Sequence, residues 1–351
     1  MKQAILLILT VLRGIMSTAS VFSLGAAVCL VLLPVLPAGS EDKATSDPAG
    51  GSAVPKIGIV LQPYTARPGP DEVSIAPGLL YPEVVRILED AGVEHAGLER
   101  VERTPDERSQ YGVWHRVSLA DAHLGRAVAS TVRQGRFSLG LLGNCNSSWG
   151  MLAGLQHSGP SSKPLKVGLI WIDAHGDFNT PETTLSGWLG GMPVSVAAGR
   201  SLFRLRLKAG LDPAISTRDI IMMGLRDVDP LEQVLIDESH ITTVSTEEML
   251  SHGPRMKEAL DRLSRQVDVI YLHIDLDILD ATAIPGSFFP VPGGPTATQL
   301  VGPIRFLMQN PKVKALGVAS FPTVEEGRKT SMESALTVIR AAVRGLTERQ
   351  P

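Results

Sequence analysis

Residues 166–179 read KVGLIWIDAHGDFN, a short apolar run followed by a cluster of polar side chains. The run is apolar on both parities, which is typical of a strand buried on both faces of a parallel sheet. Similar runs are KIGIVLQ from 56, FSLGLLG from 137, DIIMMGL from 219, DVIYLHIDLD from 268 and KALGVASF from 314. Weaker strand candidates lie near 94–100 and 240–244, which brings the predicted total to eight.

Helical patterns separate these strand candidates. PGLLYPEVVRILEDAG from 77 and SLADAHLGRAVASTVRQG from 118 each run to a glycine that stops the helix, and we expect Ser118 to cap the second. The others are RMKEALDRLSRQ from 255, TATQLVGPIRFLMQ from 296 and TSMESALTVIRAAVRGL from 330. Alternating strands and helices predict an α/β fold with helices on both faces of a parallel sheet. In such folds the site lies at the carboxyl ends of the strands.

Two strand candidates end in closely spaced acidic residues. VGLIWI is followed by Asp173, His175 and Asp177, and DVIYLHI is followed by Asp275 and Asp277. Alternate residues of an extended segment share a face, so these side chains would converge. Four buried carboxylates repel one another unless cations lie among them, and divalent metal ions are the simplest choice. A single aspartate at a strand end is usually a turn former or cap, but the two motifs together favour a site for two metal ions.

These motifs resemble those of the ureohydrolases, the arginase and agmatinase family. WIDAHGDFNTPETTLSG and HIDLDILD are similar to the two metal-binding motifs of that family, and GLRDVDPLE from 224 resembles the arginase segment between them. The resemblance covers about residues 56–346 and implies a three-layer α/β/α sandwich around an eight-stranded parallel sheet. HIDLD and SFPTVEEGRKT look more like a divergent bacterial arginase-like branch, which includes members that act on modified guanidines.

The resemblance also implies a ligand set for two divalent metal ions, with an acidic residue bridging both. The implied ligands are Cys145, Asp173, His175, Asp177, Asp275 and Asp277. Cys145 lies in LGNCN, where the family has a Gly-Gly-Asp-His-Ser motif, so it takes the place of a ligand histidine. A thiolate is a competent ligand, although a small buried hydrophobe is the alternative interpretation. We expect manganese because aspartates dominate, while a thiolate would favour softer ions.

The implied activity is hydrolysis of a C–N bond. In the family, a metal-bound hydroxide attacks a guanidinium carbon and releases urea, and Asp177 matches the carboxylate that both ligates metal and orients the hydroxide. Asn179, Ser186 and Asp229 match positions at which arginases hold the α-amino and α-carboxylate groups of arginine. Asp229 precedes a proline, so a turn residue is an equal alternative there.

Several positions depart from the arginase pattern. Gly190 stands where arginases carry a proton-shuttling histidine, and Ala319 stands where they carry a glutamate near the guanidinium. Phe289 stands in place of a threonine, and Trp188 in place of a small polar residue. Without the glutamate and the histidine, guanidinium binding and amine protonation would both weaken. An exported pseudoenzyme or ligand-binding module without turnover is therefore the alternative to a hydrolase of guanidino or amidino compounds. Amide hydrolysis, as in the related deacetylase group, is disfavoured because TPETTLSG follows DAHGD.

The N-terminal part of the chain differs in composition from the rest. Residues 14–40 carry no charge, two basic residues precede them and two acidic residues follow. This order predicts a signal peptide or an N-terminal membrane anchor at 1–40, and hence export or membrane attachment. A flexible linker at 41–54 and an arginase-like metal hydrolase domain at 55–351 would follow.

Charge limits the partners. The formal net charge is −3, and no stretch holds five or six like charges, which argues against nucleic acid as the main partner. We expect a small guanidino or amidino substrate, and the resemblance implies a homo-oligomer, either a trimer or a hexamer.

Overall fold

Eight parallel strands form the centre of the domain that is predicted at residues 55–351. The computed structural model describes residues 54–349, without the side chains of residues 70 and 71, so the predicted signal segment and nearly all of the linker lie outside the described residues. The strands are β1 Ile57–Gln62, β2 His95–Arg100, β3 Phe137–Leu142, β4 Val167–Ile172, β5 Ile220–Met223, β6 Thr242–Val244, β7 Val269–Asp275 and β8 Val313–Ala319. Their order is β2-β1-β3-β8-β7-β4-β5-β6, and all neighbours are parallel. Both the strong and the weak strand predictions are confirmed.

Helices connect these strands. They are α1 Ala76–Asp90, α2 Pro105–Ser109, α3 Val113–Arg133, α4 Ser148–Gln156, α5 Pro193–Ala197, α6 Phe203–Lys208, α7 Pro230–Asp237, α8 Thr246–Leu250, α9 Pro254–Gln266, α10 Ala297–Met308 and α11 Arg328–Thr347. Every predicted helix is present, with α10 opened by a capping box between Thr296 and Gln299. Within residues 54–349, none of these helices has the length and apolar character needed to cross a bilayer.

The sheet separates two hydrophobic cores. Alternate side chains of each central strand enter opposite cores: in β4, Ile170 and Ile172 belong to one, and Leu169 and Trp171 to the other. Helices α1 and α8–α11 cover the first face, and α3–α7 cover the second. The strands are apolar on both parities because both of their faces are covered. The predicted three-layer α/β/α sandwich is confirmed.

One helix boundary was predicted wrongly. Ser118 lies inside α3 rather than at its cap, and the helix begins five residues earlier, after Gly112. Gly112 has a φ of 86°, a conformation that favours glycine, and the helix begins at the next residue. The Ser118 hydroxyl donates to the carbonyl of His115 at 2.8 Å, which satisfies it within a helix. A serine that precedes an apolar pattern is therefore not sufficient evidence for a helix cap.

Topology gathers the candidate site at the middle of the sheet. Strands β3, β8, β7 and β4 are neighbours in that order, so their carboxyl ends lie side by side. The register pairs Asp275 of β7 with Ala319 of β8, and Ile274 of β7 with Ile172 of β4. The segments that carry Cys145, Asp173 and Asp277 therefore leave the sheet at one edge.

Candidate metal centre

Two overlapping groups of side chains form the floor of a cavity at this edge. Cys145, Asp173 and Asp275 can each offer an atom within 4.8 Å of the others, and so can Asp173, His175 and Asp277. Asp173 belongs to both groups. The geometry thus brings together five of the six predicted ligands, arranged as two sets of three that share one carboxylate. Their role as ligands stays a prediction.

Hydrogen bonds at the strand ends fix the carboxylates. Asp173 follows β4, and its two carboxylate oxygens accept from the backbone N–H of His175 at 2.7 Å and from the Trp171 indole N–H at 3.0 Å. Asp275 ends β7 and accepts from the backbone N–H of Asp277 at 2.9 Å. Such turns from a side chain to the backbone two residues later are typical of aspartate. They hold the oxygens in place where each strand leaves the sheet.

His175 connects the two strand ends. Its Nδ1 lies 3.4 Å from Asp173 Oδ1 and 3.2 Å from Asp277 Oδ2. Burial alone would lower its pKa, but the hydrogen bonds and charges of the two aspartates raise the pKa to about 12. Without an ion, the imidazole therefore carries the positive charge among the acids. A metal ion would replace that proton, because only the neutral imidazole is a ligand.

Burial and mutual repulsion disfavour the ionised form of the clustered carboxylates. Burial, followed by the charge of Asp277, raises the pKa of Asp275 to about 7, and burial, followed by the charge of Asp173, raises the pKa of Asp277 to about 7. Asp277 Oδ1 is also buried without a hydrogen-bond partner. Clustered acids with an orphaned buried oxygen are what a cation site requires, so this donor set fits divalent metal ions.

Cys145 lies in a short 3₁₀ turn after β3 and is almost fully buried. Its Sγ donates to Asp275 Oδ2 at 2.5 Å, and the Ser320 hydroxyl donates to the same oxygen at 2.6 Å. Burial, then the charges of Asp275, Asp177 and Asp173, raises the thiol pKa well above its usual value. Cys145 is therefore a thiol here, and a bound cation would be needed to favour the thiolate.

Asp177 lines the same cavity but belongs to neither set of three. The expectation of an extended segment from Asp173 to Asp177 is wrong, because the chain bends at Ala174 and Asp177 has a φ of 49°. The carboxylate is nevertheless buried, and burial followed by the charge of Asp173 raises its pKa well above the usual value. The turn, rather than strand alternation, brings this acid to the site.

The predicted substrate-binding residues line the same cavity. Asn179, Ser186 and Asp229 all line the cavity, which has a volume of about 540 Å³. The Asn179 side-chain amide donates to Asp229 Oδ2 at 3.0 Å. Asp229 also precedes α7 as its N-cap residue, which agrees with its interpretation as a turn residue, and its role in holding substrate stays a prediction.

Glu232 is a cavity residue that the sequence reasoning missed. It is buried, and its carboxylate accepts from the backbone N–H groups of Phe178 at 2.7 Å and Asp229 at 3.2 Å. Burial raises its pKa to about 7. The signal was present in GLRDVDPLE, because an acidic residue three positions after a cap marks a capping box.

Three residues that depart from the arginase pattern line the cavity, namely Trp188, Gly190 and Phe289. A side chain at Gly190 would overlap the indole nitrogen of Trp188, so the indole takes the space above this glycine. Ala319 lies in the core at the end of β8, and the next residue, Ser320, lines the cavity. Ser320 has a φ of 61°, which turns the chain towards the ligands. Phe289 lies with its ring 6.1 Å from that of His175.

Acidic side chains clustered at the carboxyl ends of the central strands of a parallel α/β domain are typical of proteins that bind metal ions at this edge of the sheet. The model of the Arginase family matches residues 69–343. The chain belongs to the arginase family.

Individual relatives agree with this assignment. The chain is 35% identical to an arginase of Bacillus caldovelox over 182 residues, 51% of this chain and 59% of the relative. It is 37% identical to human Arginase-1 over 186 residues, 51% of this chain and 56% of the relative. With an arginase of Neurospora crassa it shares 30% identity over 256 residues, 68% of this chain and 71% of the relative. For the first two, the match spans less than two thirds of the relative's length.

Solved structures show the same fold. The Bacillus caldovelox arginase structure superimposes with a TM-score of 0.70 at 27% identity, covering 82% of this chain and 98% of that one. A formimidoylglutamase of Bacillus subtilis superimposes with a TM-score of 0.63 at 17% identity, covering 85% of this chain and 89% of that one, which supports the fold alone.

Proposed function

We propose that the protein is a metal-dependent hydrolase that cleaves a C–N bond of a guanidino or amidino compound. For a guanidino substrate, one water is consumed, the bond to the substituted nitrogen breaks, and the products are urea and an amine. The observation that carries the proposal is the pair of ligand sets that share Asp173 on the cavity floor. Relatives named arginase support the reaction class.

The two sets would hold two divalent ions, one with Cys145 and Asp275, the other with His175 and Asp277, and both with Asp173. Such ions lower the pKa of bound water and so supply a nucleophile near neutral pH. We propose manganese because carboxylate oxygens dominate the donor set.

The remaining groups of the chain would handle the proton and the substrate. Asp177 would accept a hydrogen bond from the attacking water and orient it, and its burial in the cavity beside the ligands supports this role. Above it, the bonded pair of Asn179 and Asp229, with Glu232 and Ser186, offers polar groups for the substrate. Asp229 is held on both sides, by Asn179 and by the α7 capping interaction, so it is pre-organised.

One observation favours the second candidate, a ligand-binding module without turnover. The Trp188 indole fills the space above Gly190, where the resemblance to arginases placed a proton-shuttling histidine. Without that histidine, another acid of the cavity would have to protonate the leaving amine. Among the described residues Glu232 is a candidate, because burial raises its pKa to about 7. Metal binding with ligand affinity but no product would establish this candidate.

The test is reconstitution of the metal-free protein with manganese, cobalt or zinc. Bound metal is measured by plasma mass spectrometry, and urea or ammonia release is measured on a panel of guanidino and amidino compounds. We expect two ions per chain and turnover with manganese. A protein that binds metal but turns over no compound of the panel contradicts the hydrolase proposal, and so does one that takes up no metal.

We also propose export or membrane attachment through residues 1–40, and assembly into a homo-oligomer. Their support is the charge order at the N-terminus and the resemblance to the family. Mass spectrometry of the mature N-terminus in separated cell fractions tests the first. Light scattering after gel filtration tests the second. A soluble cytoplasmic protein that starts at Met1, or a monomer, contradicts the respective proposal.

A further inference from the structure

An apolar rim surrounds the mouth of the cavity. Six large apolar side chains both line the cavity and are exposed: Val73, Ile75, Leu185, Phe288, Phe289 and Val324. They come from four separate loop segments, and their exposure is high, at 76% for Leu185 and 60% for Phe288. Contiguous exposed apolar surface of this kind marks a surface that binds something. Single exposed apolar side chains are usually scattered over a protein surface, whereas these six line one cavity.

An aromatic wall connects this rim to the metal-ligand floor. The ring of Phe289 lies 6.1 Å from that of His175 and 4.6 Å from that of Phe288. Trp188 lies 6.2 Å from Phe288 and 6.4 Å from Phe289. One molecule could therefore contact the rim and the floor at once, with its polar head among the carboxylates. This continuity favours a substrate over a separate docking partner as the occupant of the rim.

The volume of the cavity agrees with this arrangement. At about 540 Å³ it lies within the range of roughly 300–1,000 Å³ that is usual for sites of drug-sized ligands. The described polar groups of the cavity include the ligand carboxylates and Asn179, Asp229 and Glu232, whereas the exposed part of its lining is rich in large apolar side chains. Polar groups are also present at the exposed side, where Arg67 lies 3.3 Å above the Phe288 ring and Asp227 lines the cavity. The larger share of exposed apolar side chains nevertheless favours a molecule with a small polar head and an apolar body.

We propose that the substrate is a guanidino or amidino compound with an extended apolar substituent, which Phe288, Phe289 and Leu185 cover while the head reaches the floor. The proposal rests on the proposed function, since it assigns the substrate class of that same site. It also gives Trp188 a role, because its indole extends the apolar wall into the space above Gly190.

The test compares N-methylguanidine, N-butylguanidine and N-hexylguanidine on the manganese-loaded protein. Calorimetry measures their binding, and urea release gives kcat and KM. We expect affinity and kcat/KM to rise about fourfold for each added methylene that the rim buries completely. The gain should appear mainly in KM, because the rim contacts substrate and transition state alike. Equal affinity for the three compounds overturns the proposal.

Two matched variants locate the effect. Phe288 is 60% exposed at the rim, and Phe203 is 61% exposed on α6, outside the cavity. Phe288→Ser should reduce the gain per methylene, while Phe203→Ser should retain it. Identical chain-length dependence in the two variants overturns the proposal.

The outcomes separate this proposal from the proposed function. Binding that strengthens with chain length but yields no urea supports the apolar subsite and contradicts the hydrolase. Urea release without any chain-length dependence supports the hydrolase and contradicts the subsite. Neither binding nor turnover of any of the three compounds contradicts both.

Discussion

The floor and the mouth of the cavity are built in different ways. The floor consists of side chains that leave buried parallel strands within a few residues, and hydrogen bonds at the strand ends hold their carboxylates. The mouth consists of loop segments whose apolar side chains are exposed. Rigid strands position ligands accurately, whereas loops can vary without disturbing the sheet. We infer that the floor determines the reaction and the mouth determines which compound reaches it.

The likeness to arginases divides along the same boundary. On the floor, the resemblance supplies every ligand position, with Cys145 as the one change of residue type. At the mouth, Trp188, Gly190 and Phe289 all depart from the arginase pattern. A family assignment therefore says more about the chemistry of this site than about its substrate, as expected when function resides in sites carried by a common fold.

The largest effect is expected from Asp177→Ala on the floor. Loss of the carboxylate that orients the attacking water should lower kcat by about 10²- to 10⁴-fold. Urea release with the best compound of the panel measures it. Asp261→Ala, which removes an exposed carboxylate from α9, is the control and should leave kcat unchanged. Similar kcat values for the two variants would contradict the role given to Asp177.

A smaller effect is expected from pH on the metal-free floor. Asp275 and Asp277 have pKa values of about 7, above the 3.8 of the unfolded chain, so the folded state holds their protons more tightly. These two carboxyls should therefore lower the free energy of unfolding as pH rises from about 4 to about 7, whereas buried His273, whose pKa is lowered to about 3, should raise it over much of the same range. Bound manganese favours the ionised forms, so its stabilisation should be greater at about pH 8 than at about pH 5.

Scanning calorimetry with and without manganese checks this dependence. At a metal concentration of about 100 times Kd, the expected stabilisation is about 2–3 kcal/mol for each occupied site. Compared with wild type, Asp277→Asn, which cannot ionise, should become more stable relative to its value at about pH 4 as pH rises to about 7, and it should respond less to metal. Melting curves that are the same with and without manganese at both pH values would refute the electrostatic description of the floor.

The smallest expected effect is an energetic coupling between Gly190 and Trp188 in the cavity wall. An added methyl at Gly190 would overlap the Trp188 indole, so Gly190→Ala should destabilise the protein unless Trp188→Ala makes room. We expect a coupling free energy of about 0.5–3 kcal/mol in a double-mutant cycle of urea unfolding. Gly191→Ala is the control, because the nearest atom to a methyl there is Asn179 Nδ2 at 4.0 Å. Additive effects of the two substitutions would contradict the packing of the indole over Gly190.

The fold was predictable because its signal is local and strong. Strands buried on both faces are continuous apolar runs, and even the three-residue strand β6 was anticipated near 240–244. The failure at Ser118 has a physical reason. A serine hydroxyl can cap a helix or bond to a carbonyl one turn back, and the sequence alone does not distinguish these uses.

The floor was largely predictable, and the mouth was not. Asp173, Asp275 and Asp277 follow directly from strand ends, whose positions the apolar runs reveal. Ser320 was missed because its role depends on a left-handed turn after β8 that shifts the facing residue by one position from Ala319. The rim was missed because its members are far apart in sequence and are brought together by loops.

Metal stoichiometry tests the central claim, two ion sites that share Asp173, most directly. Manganese bound per chain is measured by plasma mass spectrometry on wild type, His175→Ala and Asp173→Asn, with circular dichroism to confirm folding. We predict two ions for wild type, one for His175→Ala, since it disrupts a single ligand set, and none for Asp173→Asn, since it disrupts both. Two ions retained by folded Asp173→Asn would contradict the account.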